Sequence, residues 1–325
     1  MRKLLLVILS ALLCLSSCQK RPEYISRDIY AMSTVISVSI PENTKNSDAL
    51  IKKAEELIYS LESLLSATDK KSEISRFNQS SEGTKLSKDT LKVISTALDV
   101  AKNTNGAYDP TCLYLTELWN ISEGGYLPTE DELSEALKKT DHSLLRIDKD
   151  TLKKESTDIR IDLGGVAKGY ALERTVELLK KDCNFGMVSF GGNVGVWGDK
   201  PDSSKWEIGI KDPFNTNEVI GFFKVDEGYI SVSGDYERYF EKDGVRYHHI
   251  FDPETGHPVD NGIHSVAVYT KDGALGDALS TALFVMGYED AIELYESEIY
   301  DFEALFVTDD GIFMTDGAKR LFTEK

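Results

Sequence analysis

The sequence predicts an α+β fold of mixed architecture, with largely antiparallel strands flanked by helices. Three observations carry this. Before Arg160, apolar residues recur at helical spacing; after it, the pattern changes to short strands separated by turns; and strands and helices never alternate in the regular way that builds a parallel doubly wound sheet.

The elements follow in order. MSTVISVSI (Met32 to Ile40) alternates like a strand. From Leu50, the residues Ile51, Ala54, Leu57, Ile58, Leu61, Leu64 and Leu65 recur at helical spacing and predict an amphipathic helix. Ser87 is the expected N-cap of a second helix through Leu91, Ile94, Leu98 and Ala101, stopped by Asn105-Gly106. Thr129-Glu130-Asp131-Glu132 has capping-box spacing and opens a third. A strand is expected to end at Asp162, with a helix after Gly164-Gly165. The strands MVSFGG, WEIGIKDP, FFKVDEGYISVSG and HSVAVYT follow, then a helix containing Asp277 and the hairpin ALFVTDDGIFMT turning at Asp310-Gly311. The change of pattern near residue 150 marks a candidate sub-boundary.

Composition narrows the function classes. A chain of 325 residues with 41% hydrophobic and 28% charged residues can bury a sizeable core. Its formal net charge of -18 argues against general binding to nucleic acid or to an anionic membrane surface, and an anionic substrate would need a metal or a local basic cluster.

The first residues have a basic start (Arg2, Lys3), an apolar run and Leu15-Ser16-Ser17-Cys18, the order of a secretory signal rather than a spanning helix. The segment resembles a bacterial lipobox, so residues 1–18 are read as a lipoprotein signal with Cys18 lipidated, in preference to a plain signal peptide. Residues 19–28 are then a polar tether and 29–325 the working domain, exported and anchored to a membrane with a periplasmic aspect, inner or outer. Cys112 and Cys183 are read as buried free thiols, since two cysteines without CxxC spacing make neither a disulfide framework nor a zinc site.

Three segments carry chemistry. In GDALSTALF, Asp277 and Thr281 fall at i and i+4 on one helix face beside Ser280, giving two hard oxygen ligands; the competing reading is an N-cap aspartate and a back-bonded threonine. RIDLGGVAKGYALERTVELL places a Gly pair before a helix whose first turn carries Lys168 and Gly169, an arrangement suited to an anion but weak by itself. In SVSGDYERYFEKDGVRYHHIFDPETGHPV, His248 and His249 are adjacent on a strand, so only one can point into a site.

Taken together the segments resemble the ApbE family of FAD:protein FMN transferases. Met32-Ser33-Thr34 stands for the family's Met-Gly-Thr, followed by SEISRFN, GAYDPT, DLGGVAKGYA, SFGGNV, SGDYER, HHIFDPETGHP and GALGDALSTALFVMG, eight motifs in order over nearly the whole chain after the leader. The resemblance implies a T-fold-type arrangement of antiparallel sheets flanked by helices. It also implies a Mg²⁺ site made by Asp277, Thr281 and the Gly165 carbonyl, and contacts to FAD from Met32, Ala107, Tyr108, Asp109, Asp162, Lys168 and Ser280.

The implied reaction moves FMN from FAD to a Thr or Ser hydroxyl of an acceptor protein and releases AMP. The acceptor would be a subunit of a membrane redox complex bearing a Thr-containing flavinylation motif. His249 is the candidate base, with His248 and His257 in reserve. Asp252 would orient its turn, and Tyr236 and Arg238 are either structural or substrate contacts. One departure stands out: Thr68 occupies a place where many relatives have an aromatic residue, which raises the alternative of an FAD pyrophosphatase giving FMN and AMP. A non-catalytic flavin-binding lipoprotein is a third reading; it predicts no metal requirement.

Overall fold

The computed structural model describes residues 23–325, and the expectations about the leader, Cys18 included, lie outside the described residues. The chain opens with a hairpin of β1 (Tyr24–Ala31) and β2 (Thr34–Pro41). This corrects the expected tether, because Tyr24 to Asp28 are strand. β1 is the edge of its sheet and buries only Ile29 and Ala31, so polar side chains on both of its faces hide the strand signal.

Helix α1 (Ser47–Leu65) buries Leu50, Ile51, Ala54, Ile58, Leu61 and Leu65, the stripe expected of it. A helix not anticipated, α2 (Glu73–Gln79), is too short to show periodicity; Ser72 caps it by accepting from the Ser75 N–H. After β3 (Gly83–Lys85) comes α3 (Lys88–Asn103), capped by Ser87 as predicted. Asn105 and Gly106 then take φ values of 51° and 86°, which end the helix.

Next come α4 (Leu113–Trp119) and α5 (Glu130–Leu137), the latter opened by the predicted capping box of Thr129 and Glu132. β4 (Leu145–Asp148) and β5 (Thr151–Lys154) form a hairpin whose turn holds residue 150. One core cluster draws Phe77, Val93 and Ile94 from before that turn and Leu152, Leu163 and Leu172 from after it, so the chain does not divide there.

Arg160 to Asp162 form no strand, contrary to expectation. The Ile161 N–H and C=O are satisfied by the Asn78 side-chain amide at 2.8 and 2.9 Å, in place of a neighbouring strand. Helix α6 (Ala167–Leu179) follows the Gly pair. Then come β6 (Gly186–Phe190), β7 (Asn193–Trp197), β8 (Trp206–Lys211), β9 (Val219–Val225) and β10 (Gly228–Gly234). β11 (Tyr239–Lys242) and β12 (Val245–His248) make a separate hairpin turning at Asp243-Gly244. β13 (Ile263–Thr270), α7 (Gly273–Met286), α8 (Tyr288–Glu296), β14 (Phe302–Thr308), β15 (Gly311–Met314), α9 (Asp316–Leu321) and β16 (Phe322–Glu324) complete the described chain.

The central sheet runs β1-β2-β6-β7-β10-β13-β14-β15, with every neighbouring pair antiparallel. Helices α1, α3, α6 and α7 cover one face and share with it the main hydrophobic core. On the other face Val196, Ile230, Ala267 and Leu305 pack against the small sheet β16-β9-β8 through Ile208, Ile210 and Phe223. A third cluster around Trp119, with Leu115, Leu133 and Phe251, supports the turn after β12.

Candidate active site

Helices α6 and α7 cross where neither has a side chain. A Cβ on Gly169 would lie 2.1 Å from the Gly273 carbonyl oxygen and 2.5 Å from the Asp277 Cβ, so only glycine permits this approach. The N-cap of α7 is Asp272, which accepts from the Leu275 N–H, and that leaves Asp277 inside the helix and not at its cap. Asp277 is buried; its Oδ2 accepts from the Gly169 N–H at 2.8 Å and its Oδ1 from Asn193 Nδ2 at 2.9 Å.

Thr281 lies one turn further on, its Oγ1 3.3 Å from Ser233 Oγ. Gly165 sits beside it: a Cβ there would be 3.4 Å from Thr281 Oγ1 and 3.0 Å from the Tyr108 ring. The structure therefore gathers Gly165, Thr281 and Tyr108. Among the described residues no group of three or more His, Cys, Asp or Glu side chains is placed to hold a metal. A cation here would meet one carboxylate and neutral oxygens. That donor set fits Mg²⁺, which keeps water and phosphate oxygens in its octahedron, and does not fit a structural zinc.

The other predicted ligand contacts divide. Tyr108 is buried with its hydroxyl unpartnered, and burial, reinforced by Asp277 and Asp162, pushes its pKa well up, so it stays a neutral phenol facing the site. The half-buried Asp162 accepts from the Gly164 N–H through its side chain and donates its own N–H to the Pro110 carbonyl, while Lys168 Nζ donates to the Gly164 carbonyl at 2.7 Å. Met32 occupies the β1–β2 turn with φ 51°, its N–H donating to Glu62 Oε1. Ala107 is half-buried next to Tyr108.

Asp109 and Ser280 have internal partners instead. Asp109 accepts from the N–H and Oγ1 of Thr111 and from the N–H of His142, with His142 Nδ1 at 2.9 Å. Ser280 Oγ donates to the Asp277 carbonyl and lies 2.9 Å from Ser233 Oγ. Both shape the site through the backbone they hold.

The two adjacent histidines separate, although not by strand alternation as expected, because β12 ends at His248 and His249 lies just beyond it. His248 Nδ1 accepts from the Ile250 N–H, so the ring is neutral and its Nε2 donates to the Val259 carbonyl at 2.8 Å; both nitrogens are used in structure. His249 turns the other way, with its Nδ1 enclosed and unpartnered and its N–H bonded to the Arg238 carbonyl. Burial, then Arg238, Lys168 and His248, push its pKa down to about 3. His257 leaves the site: its ring stands edge-on to Trp119, and Nε2 is 3.5 Å from Glu130. Asp252 orients its turn as expected, accepting from the Glu254 N–H and Thr255 Oγ1. Cys112 and Cys183 are unpaired.

A polar cleft of about 440 Å³, lined by Ser33, Ile121, Ser122, Glu237, Arg238 and Tyr239, adjoins this region. Its Glu237 approaches the β6–β7 turn, where a Cβ on Gly192, the residue before Asn193, would be 2.9 Å from Glu237 Oε1. Sequence reasoning missed Asn193, Ser233 and His142 as parts of the site. Asn193 and Ser233 lay inside the SFGGNV and SGDYER motifs, where the signal was available; His142 lies in no motif.

These features define a mixed α/β protein whose antiparallel sheet and helix pair build a polar, partly basic site around the buried Asp277 carboxylate. The chain belongs to the ApbE family, whose model matches residues 32–306. An FAD:protein FMN transferase of Vibrio cholerae is 33% identical over 94% of this chain and 94% of its own length. A relative of the same name from Haemophilus influenzae is 30% identical over 96% and 95%. The crystal structure of an ApbE protein from Thermotoga maritima superposes with a TM-score of 0.86 at 34% identity, covering 93% of this chain and all of its own.

Proposed function

We propose that this chain is an FAD:protein FMN transferase that uses Mg²⁺ to move FMN from FAD onto a Thr or Ser hydroxyl of an acceptor protein. The single observation that carries the metal-assisted reading is the buried Asp277 carboxylate, held by Gly169 and Asn193 beside Thr281 and Gly165. The acceptor oxygen forms a bond to the FMN-side phosphorus, the bond from that phosphorus to the bridging oxygen breaks, and AMP leaves. Asp277, Thr281 and the Gly165 carbonyl are the groups that would hold Mg²⁺, which when bound would supply charge neutralisation at the diphosphate.

The rest of the work falls to the protein. Lys168 and Arg238 offset negative charge in a chain that is otherwise strongly acidic. The His249 ring takes the acceptor's proton, and at neutral pH it is in the free-base form that this requires. Burial is the main cause of its low basicity; Arg238 and Lys168 add to it, and an anionic diphosphate would offset that smaller, cationic part. Tyr108 closes the site as an uncharged ring.

A hydrolytic side reaction is favoured by one observation. Thr68 is exposed, its hydroxyl paired only with Ser66, and it offers no aromatic face to flavin; stacking lost there is worth about 0.5–1.5 kcal/mol. Water would then compete with the acceptor hydroxyl. Lipidation at Cys18 and a membrane redox-complex subunit as acceptor complete the proposal, and place the domain outside the cytoplasm.

The test incubates the domain with FAD and MgCl₂, with and without an acceptor domain, and follows AMP release and covalent flavin by mass. Flavin joined to the acceptor supports the transferase, and an Asp277→Ala variant should lose on the order of 10³-fold in rate. AMP with free FMN in every tube supports the hydrolase. Intact FAD throughout would leave a binding protein.

A further inference from the structure

Asp277 is held from two sides, and one of its holders is a side chain with no other hydrogen-bond partner among the described residues. Asn193 is 1% exposed, and its Nδ2 donates to Asp277 Oδ1 at 2.9 Å. Burying a primary amide costs free energy that an apolar residue of similar volume would avoid, so its presence calls for a reason. Its backbone is fixed as well: Asn193 pairs with Phe190 across the two-residue turn at Gly191-Gly192 and with Ser231 on β10.

That turn sets the register. Gly191 has φ 66°, and a one-residue slip of β7 would carry the Asn193 side chain to the opposite face of the sheet, away from α7. The hairpin and the Gly169–Gly273 crossing thus deliver two donors, one from the sheet and one from α6, to the two oxygens of a single carboxylate.

We propose that Asn193 is a positioning residue for the cation site: it fixes the Asp277 carboxylate so that the remaining acceptor positions serve the metal, which Asn193 itself does not touch. The inference rests on the Mg²⁺ reading above. Outer hydrogen-bond partners of metal ligands typically contribute about 10- to 100-fold in metal affinity, because a free carboxylate must be ordered when the ion binds.

The test titrates MgCl₂ into the protein with FAD by calorimetry and by the rise in Tm, comparing wild type, Asp277→Ala, the near-isosteric Asn193→Leu and the hydroxyl-bearing Asn193→Ser. Asn193→Leu should bind Mg²⁺ about 10- to 100-fold more weakly, with the loss appearing in the KM for Mg²⁺ more than in kcat at saturating metal, and Asn193→Ser should fall between. Mg²⁺ affinity within twofold of wild type in a folded Asn193→Leu, with binding lost in Asp277→Ala, overturns this inference alone. No Mg²⁺ binding by the wild type overturns the metal reading together with it. If neither Asn193 variant folds, the ¹⁵N side-chain amide resonances of Asn193 in the wild type decide: they should move on adding MgCl₂, and unmoved resonances overturn the proposal.

Discussion

The two halves of the site are built by opposite means. On the carboxylate side, Asp277, Asn193 and Gly169 are buried, bonded to one another and held by a backbone crossing that tolerates no Cβ. On the base side, His249 has an enclosed nitrogen without a partner, and its protonation is held down first by burial and then by the cations Arg238 and Lys168. The first half fixes geometry through packing. The second sets reactivity through burial and charge together, so substitutions should disturb the first through folding and metal affinity and the second through rate and pH dependence.

The largest expected effect would break the comparison if it failed. His249→Gln should lower kcat about 10²- to 10⁴-fold while the Tm of the free protein stays close to wild type, as measured by single-turnover flavin transfer and thermal melts. A variant that lost stability and not rate would make His249 a packing residue.

Gly169→Ala should do the reverse. The added methyl meets backbone at 2.1 Å, so a loss of about 1–3 kcal/mol or more is expected in denaturant unfolding, together with weaker Mg²⁺ binding as α6 moves off Asp277.

Acid should also separate two histidines. His249 is held neutral when folded, so on acidification the unfolded chain takes up its proton first; this contribution to stability is lost as pH falls from about 6.5 toward about 3, and His249→Gln should flatten that limb. His264 behaves oppositely. Its partial burial works against the charged ring, but hydrogen bonds with Asp309 and Asp235, at 3.0 and 2.7 Å, outweigh that and raise its pKa. Both nitrogens face carboxylates, which only the imidazolium can satisfy. Its stabilisation is therefore present below the unfolded value and lost as pH rises through the raised folded one. Melts from pH 5 to 9 should show this loss in wild type and a smaller one in His264→Gln, where His142, raised by its hydrogen bond to Asp109, still contributes.

The smallest effect lies at the mouth of the cleft. Ser33 sits at φ 58° in the β1–β2 turn, where the family pattern has glycine, so Ser33→Gly should stabilise by ~0.5–1 kcal/mol, visible as a modest rise in Tm.

Much of this was legible in the sequence. The caps at Ser87 and Thr129, the α1 stripe and the C-terminal hairpin are local features, and the structure has each of them, with the hairpin turn at Asp309-Asp310, one residue earlier than expected, and Gly311 opening β15. β1 and α2 escaped notice because an edge strand need not alternate cleanly and a two-turn helix has too few residues to show a period. The strand expected to end at Asp162 was lost to a side chain 83 residues away, Asn78. His248 and His249 were known to face opposite ways, but which one was committed to structure depended on the Val259 carbonyl.

By itself, then, the sequence determined the local order: helices from their periodicity, turns from glycine and asparagine, a mixed α+β class, the family from the order of its motifs, and Asp277 and Thr281 on one helix face. The tertiary structure alone decided which oxygens had internal partners, so that Asp109 and Ser280 hold backbone while Asp277 is held by Asn193. Hydrogen bonds and charge act over a few ångströms of space, and residues 84 apart in the chain become neighbours only when the sheet and helices have packed.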